Sequence, residues 1–347
     1  MENRCLKVNV VDPFGVAGDR EMISLVHALD PAEVERQFNH RLRIVLAGKV
    51  GSIHLREIRV TRYKPGRRCL IEYDVEVERL GAPPEGEVLI GKVRARRFGK
   101  SGYRLLESFW NGGFRRDNPD GILVPEPIGT IPEFRMWLQR KVPGRPATDL
   151  LASPKGVALA RQIAEAAHKL HRAGVPVERR HTMADEMHIL QECLQKVGQV
   201  EPRWAGRTGK LLAYCHRLAA ATPDPVMCGI HRDFYSDQVI VDSKRLYIID
   251  FDLYCEGDPG LDIGNFLGHL TEMSLRTMGD PKAMVDLEKE MQERFVELSG
   301  EATRPAVQAY ATLTLVRHIY LSTLFPDRRP FTGHLLELCE ERLGVKR

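Results

Sequence analysis

The stretch His231-Arg-Asp-Phe-Tyr-Ser-Asp-Gln-Val-Ile-Val241, followed after a short connection by Leu246-Tyr-Ile-Ile-Asp-Phe-Asp252, decides how the rest of the chain is read. Two apolar runs rich in β-branched residues, Val239–Val241 and Tyr247–Ile249, flank Asp242-Ser243-Lys244. That pattern predicts a short hairpin. Asp233 and Gln238 stand just before its first strand and Asp250 just after its second. A hairpin returns its two ends to one place, so two carboxylates and a side-chain amide converge on one small volume.

Phosphoryl transfer needs such a cluster. One carboxylate orients the attacking hydroxyl and accepts its proton, while a second carboxylate and a side-chain oxygen hold Mg²⁺ against a triphosphate. At this point the residues meet a known pattern. HRDxxxxQ followed by IIDFD resembles the kinase catalytic loop HxDxxxxN and the metal-binding DFG. The continuation Gly257-Asp-Pro-Gly-Leu-Asp262, with Ile263-Gly264 behind it, resembles the GDPxxDxA/G element of aminoglycoside phosphotransferase-like kinases. That group includes aminoglycoside, choline, homoserine and fructosamine kinases. The motifs follow one another in the family's order, which makes their conjunction specific where each alone is not.

The resemblance implies roles position by position. Asp233 would be the catalytic base. Gln238, standing where the family usually has Asn, and Asp250 would hold the metal, with Asp250 bridging it to the β- and γ-phosphates. His231 would brace the loop, and Asp258 and Asp262 would fix that loop and the start of the next helix. In the N-terminal half, Leu89-Ile-Gly-Lys92 resembles the VAIK strand. Lys92 would then contact the α- and β-phosphates, with Glu107 on the following helix as its ion-pair partner. Lys64-Pro-Gly-Arg-Arg68 occupies the place of the phosphate-covering loop with one glycine instead of three; Arg67 or Arg68 would reach a phosphate there. Met136–Lys141 would form the interlobe hinge, with Gln139 and Lys141 contributing to adenine binding. The likeness runs from about Ile58 to Gly268 and leaves residues 1–50 outside it.

Two positions depart from the family. Gln238 is one methylene longer than Asn, worth about 0.8 kcal/mol of burial and some rotamer entropy, but keeps the amide oxygen. Asp252 replaces the Gly of DFG and reads equally as a further metal or substrate contact or as a plain turn acid. Asp250 and Asp258 are only eight positions apart and no APE-like element follows. A protein kinase, which needs a long activation loop there, is therefore disfavoured.

Outward from this core, the segment up to about residue 45 reads as helical. Asp30, Pro31 and Glu33 supply an N-cap, an N1 proline and an N3 acid for a helix over Glu33–Ile44. Ile58–Tyr63, Cys69–Val75 and Val88–Val93 read as an antiparallel meander, with turns at Lys64–Arg68 and Gly81–Gly86. A helix follows over Tyr103–Trp110, ended by Gly112-Gly113, and then two short strands near Gly129–Ile131 and Arg135–Gln139. Val142-Pro-Gly-Arg-Pro146 is the linker. Helices are expected beyond it over Gly156–Ala173, Ala184–Val197, Lys210–Ala220, Gly264–Met278, Val285–Leu298 and Ala306–Leu324. The expectation is an α+β, protein kinase-like bilobal fold. Residues 1–141 would form a small β-rich nucleotide-binding lobe with a helical extension, and residues 142–347 a larger helical catalytic and substrate-binding lobe.

Composition closes off other classes. The 347 residues exceed what one core usually serves. A net charge of +4 argues against nucleic acid or an anionic membrane as the main partner; the run Arg94, Arg96, Arg97, Lys100 reads as a solvated face. Seven scattered cysteines with no CxxC pair exclude a zinc site and read as reduced, mostly buried thiols. No membrane-length apolar run or secretory signal is visible, so the cytoplasm is the expected location. GxSxG, HExxH and a strand-linked GxGxxG are absent, and His318 and His334 read as ordinary helix residues. The sequence thus points to an Mg²⁺-requiring phosphotransferase that uses ATP or GTP on a small hydroxylated or amine-bearing acceptor. The alternative is a catalytically impaired kinase-fold scaffold that still binds nucleotide.

Overall fold

The computed structural model describes residues 8–95 and 101–345. Cys5 and the basic residues Arg96, Arg97 and Lys100 lie outside the described residues. The chain divides into two compact units between Pro143 and Gly144.

The first unit opens with β1 (Asn9–Val11), α1 (Ser24–Ala28), α2 (Pro31–Arg41) and α3 (Arg43–Leu46). Asp30 caps α2 as its spacing demands: Oδ1 accepts from the Ala32 and Glu33 N–H groups at 3.0 and 3.3 Å, and Pro31 sits where no donor is needed. The helix expected through Ile44 stops at Arg41. The break turns Leu42 into the core at 1% exposure and leaves Ile44 70% exposed. Nor is the segment before it all helical, because β1 pairs in parallel with Glu57–Arg59. Three residues are too few for an alternating pattern to register.

The sheet continues with β2 (Ser52–Lys64), β3 (Arg68–Glu78), β4 (Glu85–Arg94), β6 (Pro127–Ile131) and β7 (Met136–Arg140); α4 (Ser101–Asn111) and the two-residue β5 (Ile122–Leu123) fall between β4 and β6. The order is β1-β2-β3-β4-β7-β6, antiparallel except at the β1 edge. β3 alternates strictly: Cys69, Ile71, Tyr73, Val75 and Val77 are all buried, and the intervening residues face the other way. α1 and α2 cover the buried face. There Phe38 meets Tyr73 edge-on at 5.0 Å, and the Tyr73 hydroxyl donates to the Ala28 carbonyl at 2.9 Å. Lys92 is directly opposite Leu70 in the ladder, so it lies on the face away from these helices.

The second unit comprises β8 (Arg145–Pro146), α5 (Thr148–Leu151), α6 (Gly156–His171), α7 (Met183–Val200), α8 (Ala205–Ala221), β9 (Cys228–Ile230), β10 (Val239–Asp242), β11 (Arg245–Ile248), β12 (Cys255–Gly257), α9 (Pro259–Met278), α10 (Val285–Ser299), α11 (Arg304–Leu324) and α12 (Thr332–Leu343). Every helix expected here is present; α7, α8 and α9 run about a turn further at one end, and α6 stops two residues short of Ala173. Gly260, Gly264 and Gly268 bring α9 against α11 so closely that a Cβ on any of them would collide with Ala306, Tyr310 or Thr314. No helix among the described residues is long and apolar enough to cross a membrane.

The N-terminal helices are thus part of the first unit's core and not an appendage. Phe38→Ala is expected to cost about 3–5 kcal/mol, as truncating a buried aromatic does, read by denaturant unfolding. A loss below about 1 kcal/mol would show that these helices contribute little to it.

Candidate active site

β10 and β11 form the expected hairpin. The register is Val239↔Ile248 through Asp242↔Arg245, closed by Ser243 and Lys244 with Ser243 at φ 55°. Its open end is fastened twice at one residue. Ile249 N–H donates to the Gln238 carbonyl at 3.0 Å, and His231 Nε2 lies 2.8 Å from the Ile249 carbonyl. A carbonyl only accepts, so His231 carries its proton on Nε2. Gln238 and His231 are thereby held beside the residue that precedes Asp250. Asp250 itself adopts φ 63° and ψ 61°, a left-handed conformation unusual for a residue other than Gly.

The loop that carries Asp233 hangs from Asp262. Asp262 Oδ2 accepts from the His231 N–H at 2.8 Å and Oδ1 from the Arg232 N–H at 2.7 Å. His171 Nε2, from α6, reaches Oδ2 at 2.8 Å. Arg232 is also left-handed, at φ 69°. Just past Asp233, the Phe234 carbonyl accepts from Asn265 Nδ2 at 2.9 Å. Asp258 is the N-cap of α9, accepting from Gly260 N–H at 2.8 Å ahead of Pro259 at N1. The bracing expected of His231, Asp258 and Asp262 is what these contacts do.

Burial raises the Asp233 carboxyl above the usual carboxylate range, His231 and Arg317 pull it back, and Asp250 adds to the rise. Arg317 is positioned by Asn265 Oδ1 at 2.7 Å and by Glu186 Oε2 at 3.4 Å; Glu186 in turn meets His181 Nε2 at 2.6 Å. Asn265, Arg317 and Glu186 had no signature in sequence, because each is recognisable only through partners on other helices. Tyr235, two positions after Asp233, stacks on His269 at 4.6 Å, and His269 meets His318 edge-on at 4.4 Å. Burial pushes His269 down to about 3 and His318 well below its usual range. His318 is buried in the core. Asp252 lies in a single 3₁₀ turn, Phe251–Leu253, where its carbonyl accepts from Arg179 at 2.9 Å.

In the first unit, Lys92 sits on β4 with its ammonium 4.9 Å from the centre of the Trp137 ring. Gly91 beside it has no room for a side chain, since a Cβ would strike Met136 and Tyr73. Glu107 lies half-buried on α4. Burial, and then Glu107, raise the Tyr103 hydroxyl. Arg67 is exposed in the β2–β3 turn. Gln139 is buried in β7, opposite both Ile90 and Pro127. Lys141 donates its N–H to the Val88 carbonyl at 2.8 Å and its ammonium to Glu72 at 2.9 Å. Any contact between Lys141 and a nucleotide base therefore falls to its carbonyl, a narrower part than the hinge reading gave it.

No group of three His, Cys, Asp or Glu side chains able to hold a metal ion occurs among the described residues. The oxygen donors at the hairpin mouth, Asp250 and Gln238, suit a hard cation that takes one or two protein ligands and completes its shell from phosphates and water.

The profile of the phosphotransferase enzyme family matches residues 115–292, just over half the chain. Among solved structures, an aminoglycoside phosphotransferase in a ternary complex with ADP and hygromycin B is similar at TM-score 0.56 and 16% identity, over 85% of this chain and 96% of that one. A choline/ethanolamine kinase family protein from Mesorhizobium loti matches at TM-score 0.52 and 13% identity, over 82% and 88%. Amicoumacin kinase, solved with AMP-PNP, Ca²⁺ and amicoumacin, matches at TM-score 0.53 and 15% identity, over 82% and 88%. These likenesses establish the kinase-like fold. No curated protein matches the chain.

Asp262→Ala would leave the buried His231 N–H and the half-buried Arg232 N–H without an acceptor and is expected to cost about 3–5 kcal/mol in denaturant unfolding. A cost under about 1 kcal/mol would mean the loop is held by something else.

Proposed function

We propose that this chain, which belongs to the phosphotransferase enzyme family, moves the γ-phosphoryl group of ATP onto a hydroxyl group of a small-molecule acceptor. The observation that carries the reading is the gathering of Asp233, Gln238 and Asp250 about the mouth of one hairpin, braced by Asp262, in a chain of this family.

Asp233 accepts the proton of the attacking hydroxyl. Its raised affinity for protons suits the task, because a base closer to neutrality competes better for the hydroxyl proton. Asp250 and Gln238 would hold Mg²⁺, which would supply charge neutralisation at the phosphates. Lys92, for which Glu107 is the proposed ion-pair partner, orients the α- and β-phosphates, and Arg67 reaches the phosphates from the turn. Gln139 and the Lys141 carbonyl stand in the strand end expected to receive adenine. The residues contribute positioning and fixed charge; little else is asked of a protein that transfers a phosphoryl group. GTP would serve only if the hinge accepts guanine as well.

The test is Mg²⁺-dependent ADP release against a panel of amino sugars, sugars, amino alcohols and aminoglycosides. Asp233→Asn is expected to lower kcat by about 10²–10⁴-fold while Mg-ATP binding is retained. Acceptor-independent binding with no turnover by the parent on any acceptor would favour a nucleotide-binding scaffold instead.

The pH profile offers a second check. Protonating Asp233 removes the base, and its folded value is raised in the free protein, so the acid limb of kcat/KM, which reports the free enzyme, should lie above the ordinary aspartate value of 3.8. The same raised value means the folded state binds this proton more tightly than the unfolded chain, so Asp233 costs stability as pH rises through that limb. Asp233→Asn should remove that loss, and an acid limb at or below the ordinary value would contradict the assignment.

A further inference from the structure

The β2–β3 turn stands where the phosphate-covering loop is expected, yet its backbone donors are already spent. Pro65 has no N–H. Gly66 N–H donates to Asp19 Oδ2 at 2.8 Å. Arg67 N–H donates to the Lys64 carbonyl at 3.0 Å. Pro65 at the second position and Gly66 at φ 60° at the third make this a type II turn. Glycine-rich phosphate loops cradle anions with successive N–H groups. Residues 65–67 have none to give. What the turn presents is side-chain charge: Lys64 and Arg67 are exposed, with Arg62 and Arg68 alongside. Arg68, then burial, then Arg62 and Arg67 hold the Lys64 ammonium below its usual range. An anion would relieve that crowding.

The acid that closes the turn comes from the segment lying outside the family likeness. Asp19 follows the single 3₁₀ turn Val16–Gly18. Its Oδ2 also accepts from the Tyr63 hydroxyl at 2.7 Å, and its Oδ1 accepts from the Glu21 and Met22 N–H groups at 2.8 and 3.2 Å. Met22 and Leu25 are buried in the core beneath the sheet, so the hook is anchored. Glu21 lies against the turn as well; a Cβ on Gly66 would come 2.5 Å from its Oε2. Phe14 packs on Tyr63 with ring centres 6.2 Å apart.

We infer that residues 12–22 form a clamp on the β2–β3 turn and that Asp19 is a positioning residue for the nucleotide. By taking the Gly66 N–H and the Tyr63 hydroxyl, Asp19 fixes the turn and commits phosphate recognition there to the side chains of Lys64, Arg67 and Arg68, not to backbone amides. The inference rests on the kinase reading above for what the turn meets.

The experiment compares binding of Mg-ATP and of adenosine, at low and high salt, to the parent, Asp19→Ala, Tyr63→Phe and Arg67→Ala, with thermal unfolding of each. Asp19→Ala is expected to weaken Mg-ATP by about tenfold, to leave adenosine unchanged, and to raise KM for ATP with little effect on kcat. Tyr63→Phe keeps the packing on Phe14, removes one of the clamp's hydrogen bonds, and should show a smaller loss of the same kind; it carries the test if Asp19→Ala does not fold. Arg67→Ala should weaken Mg-ATP and flatten the salt dependence that screened side-chain charges impart. Equal losses for Mg-ATP and adenosine, or none for either, would overturn the clamp, and salt-insensitive binding by the parent would overturn the side-chain assignment. A parent that binds no Mg-ATP at all fails the kinase reading itself, which separates the two.

Discussion

Asp262 is an ionisable side chain with no exposure, and three donors from two other segments converge on it. A carboxylate taken out of water is tolerated only when such donors replace the water it loses, and charge-assisted bonds are the stronger kind. Its place in the first turn of α9 adds the favourable end of the helix dipole. The reach is what matters. From one helix, Asp262 ties α6 through His171 and fixes two consecutive N–H groups of the loop that bears Asp233. The hairpin then hangs from that loop through His231, whose imidazole grips the carbonyl just ahead of Asp250.

Those ties also hold unfavourable backbone. Arg232 and Asp250 both adopt left-handed conformations, at a cost of order 1–3 kcal/mol each for a residue other than Gly. Each lies next to a fastening. Arg232 donates its own N–H to Asp262, and Asp250 follows the twice-bonded Ile249. Glycine at either position would relax more easily, but at 250 it would remove the carboxylate proposed to hold the metal.

The hairpin, the braced loop and the helices were legible because their determinants are local. Asp233, Gln238 and Asp250 fall within one supersecondary unit, and a two-residue turn sets the register. Capping by Asp30 and the alternation along β3 are likewise written in short windows. What could not be read depends on distant partners. β1 is three residues long and finds its partner at Glu57–Arg59. Asp19 has no meaning until Tyr63 and Gly66, 44 and 47 positions on, are brought to it. The hinge reading gave Lys141 a part in adenine binding; only the ladder shows that Val88 already holds its N–H. Asn265 looked like any polar helix residue.

Asn265 shows how position and charge are coupled in this fold. Its amide nitrogen holds the carbonyl of Phe234, the residue after Asp233, and its amide oxygen holds the guanidinium of Arg317. Arg317 is one of the three groups, with His231 and Arg232, that pull the Asp233 proton affinity back down against burial. A single buried side chain therefore fixes both the loop that bears the carboxylate and the cation that tempers it. Glu186 also contacts Arg317 and is itself bonded to His181, so the guanidinium is held by two partners on other helices. Full neutralisation of Asp233 by a direct ion pair would depress its proton affinity and make it a poor base. With the guanidinium held on Asn265 and Glu186, the Asp233 proton affinity stays raised overall, which is what the proposed role of base asks of it.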